Sequence, residues 1–419
     1  MRRTAATAAA TVAVVAVIAG APAGVLEPWS LAAALYVAVV FGFHDMHHEI
    51  QHPDMGVLVL LGGALAAASA PSLAQAVGIW VHGAARLAVF ALDVLLVAAS
   101  YLHIVRGPVP SLGAGSLRGK AYVVTGCSAG IGLETAEALV RAGATVVFAC
   151  RSEDRARAAI DGIIQRASGV GLEEGQLRFL PLDLCSCGSV RRFVELLQAS
   201  KLSVSALILN AGAIVGSRKL TEDGLEMTLA SNHLGHFQLV RLLLPSLLAA
   251  EARGERPRIV AVGSTLCFSH DSVDLTEAVA VGDGAERSEF LARPYSTFHA
   301  YGQSKLAGAL FVAELARRLR RRGSRIPVNL LHPGEIGTSI AMDIFPEWSR
   351  PLMAVLVPVL GPLWMKTPRQ GSFCTLHLAT SPALASAEQA SGAFFLRLRR
   401  VPGPKAMADE AMARELWEV

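Results

Sequence analysis

The chain has 419 residues and a formal net charge of +4, which is small for the length and gives no case for a nucleic-acid partner. It is 53% hydrophobic and 17% charged, with mean hydropathy +0.45, whereas soluble domains run nearer a quarter charged. The excess is uneven. Residues 1–107 carry nine charges (Arg2, Arg3, Glu27, Asp45, Glu49, Asp54, Arg86, Asp93, Arg106), while 117–419 have ordinary globular composition and are long enough for one large α/β core.

Four apolar stretches come first, at 4–26, 29–43, 55–70 and 73–105. The first and last reach the roughly 20 residues a membrane-spanning helix needs; the middle two are short and would be tilted, paired or re-entrant. Arg86 and Asp93 are seven apart and share a helix face, which suits a helix packed inside a small bundle. A signal peptide ending near Ala21-Pro22-Ala23 is the alternative for the first stretch, but its length and the apolar segments after it favour an anchor. Arg2 and Arg3 favour a cytosolic amino terminus, and Arg106, Arg118 and Lys120 a cytosolic exit. The expectation is a transmembrane helical anchor at 1–107, a linker at 108–116 and a catalytic domain at 117–419. The domain would face the cytosol from the endoplasmic reticulum or another internal membrane. One polar island interrupts the anchor, with His44, His47, His48 and His52. It is similar to one histidine box of membrane di-iron enzymes, yet those need several boxes and only His82 and His103 remain in the first 107 residues. It reads as a polar interfacial loop, and no metal is assigned.

From Leu117 onward apolar strand runs alternate with helical stretches, the pattern of a Rossmann-type doubly wound parallel sheet. Strands are expected at about 120–126, 145–151, 177–182, 204–210, 257–263 and 326–332, with a last one at Ala393–Leu396. Longer helices are expected near 222–252 and 299–323. The turn Thr125-Gly-Cys-Ser-Ala-Gly-Ile-Gly132 lies between strand and helix, as a dinucleotide-binding turn must. There Gly126 permits the tight turn, Gly130 admits a pyrophosphate and Gly132 lets the helix pack closely. The second strand ends in Arg151 where an NAD site usually carries an acid, so a 2′-phosphate, and hence NADP(H), is favoured. Tyr301 and Lys305 are four apart on one helix face. A neighbouring ammonium, together with a positive nicotinamide ring, is expected to lower the phenol's pKa and fit Tyr301 for acid/base work. The run Arg317–Arg322 reads as a solvated helix end, with an acidic membrane surface as the alternative. The six cysteines (Cys127, Cys150, Cys185, Cys187, Cys267, Cys374) have no zinc-like spacing and read as reduced thiols.

These blocks, with Leu182-Asp-Leu184, Asn210-Ala-Gly212, Asn232-His-Leu-Gly-His-Phe237, Val262-Gly-Ser264, His332-Pro-Gly334 and Lys366-Thr-Pro368, resemble the short-chain dehydrogenases/reductases. Within that family the chain looks most like the membrane-anchored retinol dehydrogenase group, with its polyprenol dehydrogenase and WW-domain oxidoreductase relatives. The resemblance covers nearly all of 117–419 and almost nothing before. It implies that Ser264 hydrogen-bonds the substrate oxygen, Tyr301 is the general acid/base, Lys305 binds the nicotinamide ribose, and Asn232 holds a water relaying protons to Lys305. Gly126, Ser128, Gly130, Ile131, Gly132, Arg151, Asp183, Leu184, Asn210, Ala211, Gly212, Tyr301, Lys305, Pro333, Gly334 and Thr338 would line the cofactor. The apolar stretch Pro351–Met365 would lie against the bilayer or over the active site, or else be a buried core helix. A lipophilic alcohol or carbonyl substrate, contact with membrane lipid, and the family's frequent homodimerisation follow from the same resemblance. Two other readings stay open on sequence alone: a catalytically silent cofactor-binding scaffold, and a reductase serving a metal site at the histidine cluster.

Overall fold

A computed structural model describes residues 112–418 apart from 168, 170, 174, 278–284, 337–364 and 385–390. The expected anchor, Thr338 and all but the last residue of 351–365 lie outside these. Among the described residues no helix is long and apolar enough to cross a membrane.

The strands are β1 (Ala121–Thr125), β2 (Thr145–Cys150), β3 (Leu177–Pro181), β4 (Val204–Leu209), β5 (Arg258–Val262), β6 (Val328–His332), β7 (Phe394–Leu396) and β8 (Arg399–Val401). The helices are α1 (Gly130–Arg141), α2 (Glu153–Arg166), α3 (Cys187–Ala199), α4 (Gly235–Ala252), α5 (Ala285–Ala292), α6 (Thr297–Arg321), α7 (Pro368–Thr380) and α8 (Glu410–Glu418). They build one sheet in the order β3-β2-β1-β4-β5-β6-β7-β8. All pairs are parallel except β7–β8.

The strands are near-continuous apolar runs because both faces of the sheet are covered. Side chains alternate between faces along each strand, and the register turns that alternation into rows. Val147, Val123, Leu207, Ile259 and Val328 align across five strands and join the core under α3, α4 and α6. One residue further along, Phe148, Val124, Ile208 and Val260 align and join the second core, under α1, α2 and α7.

The structure departs from the sequence expectation at three places. The helix expected over 222–252 begins as a single turn, Met227–Leu229, and passes through a π-helical turn, Ala230–Leu234, before α4; such turns inside helices are often found at functional sites. Strand β8 is additional to the expected set. Its turn residues Arg397 and Leu398 both have positive φ (50° and 67°), so the hairpin carries neither the glycine nor the asparagine that signals such a turn. The third departure is in the arginine run. Arg317, Arg318 and Arg321 close on the Glu314 carboxylate, which is 1% exposed, at 3.0, 2.7 and 3.1 Å, and Arg318 also reaches Glu418 at 2.7 Å. Burial pushes the Glu314 carboxyl up, but hydrogen bonds and charge from Arg317 and Arg318 outweigh it and hold the group below its ordinary range.

Gly235 shows how closely α4 approaches the loop that follows β3. A methyl group built there would stand 2.2 Å from the Leu184 carbonyl oxygen, and backbone on both sides leaves little room to relax. Gly235→Ala is expected to cost about 3 kcal/mol, the upper end for overpacking, read as a lowered denaturation midpoint with unchanged m-value.

Candidate active site

Parallel strands present their carboxyl ends to one edge of the sheet, where open α/β folds bind ligands. Thr125, Arg151, Asp183, Asn210, Ser264 and Pro333 lie at or just beyond those ends of β1 to β6.

The turn after β1 is held from below by Asn210. Its amide Nδ2 donates to the carbonyls of Thr125 (2.9 Å) and Gly126 (3.2 Å), while the backbone N–H groups of Asn210 and Ala211 both donate to Thr125 Oγ1 at 2.9 Å. Asn210 thus braces the turn. Gly126 has φ +65°, and a methyl there would stand 2.8 Å from Ala211 Cα; at Gly132 it would meet Asn210 Nδ2 at 2.5 Å and the Gly126 carbonyl at 2.7 Å. Gly130 also has positive φ, +59°. The N-cap of α1 is Ala129, which offers no side-chain acceptor, and the first turn has no acid. The positive end of the helix and its first N–H groups therefore stay available to an anion. Ile131 packs toward Ile336 across Gly371. Asp183 Oδ1 accepts from the Cys185 backbone N–H at 2.9 Å, fixing the carboxylate beside Leu184, and Arg151 is exposed at the end of β2.

The second group of residues comes from β4 to β6 and α6. Ser264 lies beside the Tyr301 phenol and lowers its pKa, and its Oγ accepts from the Leu266 N–H at 3.3 Å. Lys305, 6% exposed, donates from Nζ to the Val262 carbonyl at 3.1 Å, and its Nζ lies 5.4 Å from the Tyr301 ring centroid. A methyl on Gly212 would stand 3.4 Å from Lys305 Nζ and 3.5 Å from Asn232 Oδ1, so Gly212, Asn232 and Lys305 converge. Asn232 sits in the π turn with its side chain fully bonded: Nδ2 donates to the Ala213 carbonyl (3.0 Å) and Ser304 Oγ (2.9 Å), and Oδ1 accepts from the Ala213 N–H (2.7 Å) and Ser231 Oγ (3.1 Å). Ser304 Oγ in turn donates to the Tyr301 carbonyl at 2.7 Å. The Asn232 amide therefore ties the chain beside Gly212 to the Tyr301 helix, instead of offering a free end to water.

Burial pushes the Tyr301 phenol well above its ordinary pKa, held back in part by Ser264 and reinforced by Glu335 and Cys267. The Lys305 ammonium points to the Val262 carbonyl. Lys305 itself is pulled down to about 8 by burial, with partial compensation from Cys267. Tyr301 thus holds its proton firmly, beside a lysine that can exchange one near neutral pH.

Some residues of the site carried no assigned role from sequence. His236 Nδ1–H donates to the Asn232 carbonyl (3.2 Å), the only role that oxygen allows, which leaves Nε2 to accept from Thr125 Oγ1 (2.9 Å). Burial holds this imidazole neutral, with its pKa near 4. Lys366 Nζ donates to the Pro333 carbonyl at 3.3 Å, and its N–H to the Glu335 carbonyl at 2.7 Å. It thereby pins the strand-end segment that contains Gly334. The signal available was the block Lys366-Thr-Pro368, whose Thr367 and Gln370 form the capping box of α7. A cavity of about 400 Å³ opens nearby between Arg218, Tyr295, His299 and Gln303. None of Ser264, Tyr301 or Lys305 lines it, so it is not the reaction site.

Residues 120–273 match the short chain dehydrogenase family model. Mouse retinol dehydrogenase 14 is 37% identical over 312 residues, covering 73% of this chain and 86% of that protein. The chain belongs to the short-chain dehydrogenase family. Mouse polyprenol dehydrogenase is 35% identical over 332 residues, 79% of this dehydrogenase and 91% of its relative. The crystal structure of an uncharacterised protein from Mycobacterium paratuberculosis superposes with a TM-score of 0.53 at 30% identity, over 74% of this chain and 95% of that one. The dehydrogenase is thus an oxidoreductase with the family's Asn232, Ser264, Tyr301 and Lys305 gathered at one sheet edge.

Proposed function

We propose that the protein is a membrane-bound, NADP(H)-dependent enzyme that interconverts an alcohol and its aldehyde or ketone on a lipophilic substrate. The observation that carries this is the convergence at the sheet edge: Ser264 beside the Tyr301 phenol, with Lys305 and Asn232 meeting over Gly212. The residues fit a dinucleotide, since the tightly packed glycine turn leads into an α1 start with no side-chain cap and no acid, which leaves its N–H groups to a pyrophosphate. A bound nicotinamide supplies or accepts the hydride. Ser264 would hydrogen-bond the carbonyl oxygen as charge builds on it. Tyr301 would give that oxygen its phenolic proton, and Lys305 would restore the proton lost. In the oxidising direction the same groups run in reverse.

The retinol and polyprenol dehydrogenase relatives support a long apolar alcohol or aldehyde. The apolar first 107 residues support a membrane anchor, and with it a cytosol-facing domain at an internal membrane and direct access to lipid. Homodimerisation is proposed on the family's habit alone. The presence of Asn232, Ser264, Tyr301 and Lys305 together supports an enzyme over a catalytically silent scaffold. The decisive assay is oxidation of NADPH and NADH by detergent-solubilised full-length protein with retinal, a polyprenal and a steroid ketone. NADPH-dependent turnover of at least one is expected; bound NADPH without turnover of any would return the scaffold reading to the front.

Arg151, exposed just beyond the end of β2, supports NADP(H) through charge-assisted bonds to a 2′-phosphate. Arg151→Asp is expected to lower kcat/KM for NADPH about 100-fold, about 2.7 kcal/mol and within the range for a charged hydrogen bond exchanged for repulsion, and to leave NADH unharmed or improved. Equal losses for both cofactors would remove Arg151 from the cofactor site.

A further inference from the structure

Two thiols in this fold have no part in the reaction, yet they lie together inside the dinucleotide turn. Cys127 is the residue after Gly126, and Cys150 ends β2 immediately before Arg151. Their sulfurs are 3.7 Å apart. Both are buried, at 0% and 3% exposure, on the same face of the sheet. The other half-buried thiols, Cys185 and Cys187, have no sulfur partner among the described residues.

We propose that Cys127 and Cys150 form a reversible disulfide, a redox switch that opens and closes the cofactor turn. The oxidant is a peroxide. The Cys150 thiolate attacks one peroxide oxygen, the O–O bond breaks, and one water leaves with a sulfenic acid on Cys150. The Cys127 sulfur then displaces the hydroxyl, forming the S–S bond and releasing a second water. Two thiols lose two protons and two electrons, and one peroxide is reduced to two waters.

The local chemistry assigns these roles. Cys150 is pulled down to about 7 by the hydrogen bond from Cys127, with further help from the backbone N–H groups of Cys127 and Ser128 and the Ser128 hydroxyl, against burial. Burial keeps Cys127 well above the ordinary thiol value, and its single S–H has the Val124 carbonyl (3.2 Å) as a second acceptor. Cys150 is therefore the attacking thiolate and Cys127 the resolving thiol.

Closing the sulfurs from 3.7 Å to a bond of about 2 Å must move the turn. It has little slack: Gly126 is pressed against Ala211, and Gly132 against Cys127 Cα. The N–H of Ser128, the next residue, and Arg151, next to Cys150, would both be displaced from the geometry a dinucleotide needs. This consequence rests on the cofactor reading of the turn; the disulfide itself does not.

The test treats detergent-solubilised full-length protein with hydrogen peroxide, with and without NADPH. Digested peptides are then analysed by mass spectrometry, and NADPH affinity is measured by calorimetry before and after dithiothreitol. The expected results are a Cys127–Cys150 linked peptide, at least a tenfold loss of NADPH affinity restored by dithiothreitol, and slower linkage when NADPH is bound. Cys127→Ala should lose the linkage and show the same affinity before and after peroxide. Oxidation of Cys185 or Cys187 with no Cys127–Cys150 linkage would overturn the site. Linkage with unchanged affinity would overturn the switch. If untreated protein binds no NADPH the cofactor reading fails instead, and the linked peptide alone decides the disulfide.

Discussion

Tyr301→Phe is expected to lower kcat for carbonyl reduction about 1,000-fold while leaving NADPH affinity within about twofold. General acid catalysis is worth roughly 10²–10⁴, and burial holds the proton on the phenol beside Ser264. The substitution removes one oxygen and no ring packing. The partner left behind is the Ser264 hydroxyl, which keeps its bond from the Leu266 N–H, so the fold should survive. Steady-state rates with calorimetric NADPH titration separate the two effects. A variant keeping more than a tenth of wild-type kcat would place the proton donor elsewhere.

Lys305→Met should move activity and stability in opposite directions. Activity should fall at least 100-fold, because the group that returns a proton to Tyr301 is gone. Stability at pH 7 should rise. The sign comes from burial: the folded pKa is about 8, below the roughly 10.4 of an unfolded lysine. Between those values the unfolded chain binds more protons, so stability climbs with pH across that window. Below pH 8 the full cost of a buried ammonium is present, and methionine removes it while filling similar volume. In the wild-type enzyme the reduction rate should decline above about pH 8, as Lys305 loses its proton, and the decline should be absent from the residual activity of the variant. Thermal unfolding at pH 7 and a pH–rate profile check both halves. A less stable Lys305→Met would mean that the Val262 hydrogen bond outweighs the buried charge.

Most of the architecture was legible because its signals are local. The strands from β1 to β7 announce themselves as short apolar runs between glycine and polar breaks, and all seven lie where the runs predict them. The glycine turn was legible from three glycines at the required spacing between a strand and a helix. β8 was not, because Arg399-Arg-Val401 has no apolar alternation and its turn uses two residues without glycine's freedom. The break before α4 was also hidden: Ala230–Leu234 is as helix-compatible as α4 itself, and the π turn arises where Asn232 reaches across to Ala213 and Ser304.

By itself the sequence determined the order of strands and helices, the place of the dinucleotide turn, and the four-residue spacing that puts Tyr301 and Lys305 on one helix face. All of these arise from periodicity and backbone freedom within a few residues. Only the tertiary structure decided how those residues are tuned. Burial raises the Tyr301 phenol and lowers the Lys305 ammonium. Asn210 and Asn232 became braces because their partners come from Thr125, Ala213 and Ser304. Cys127 and Cys150, 23 residues apart in the chain, became neighbours because β1 and β2 pair side by side. A pKa or a contact between strands depends on what the fold excludes water from and brings alongside, and neither is written in the spacing of one segment.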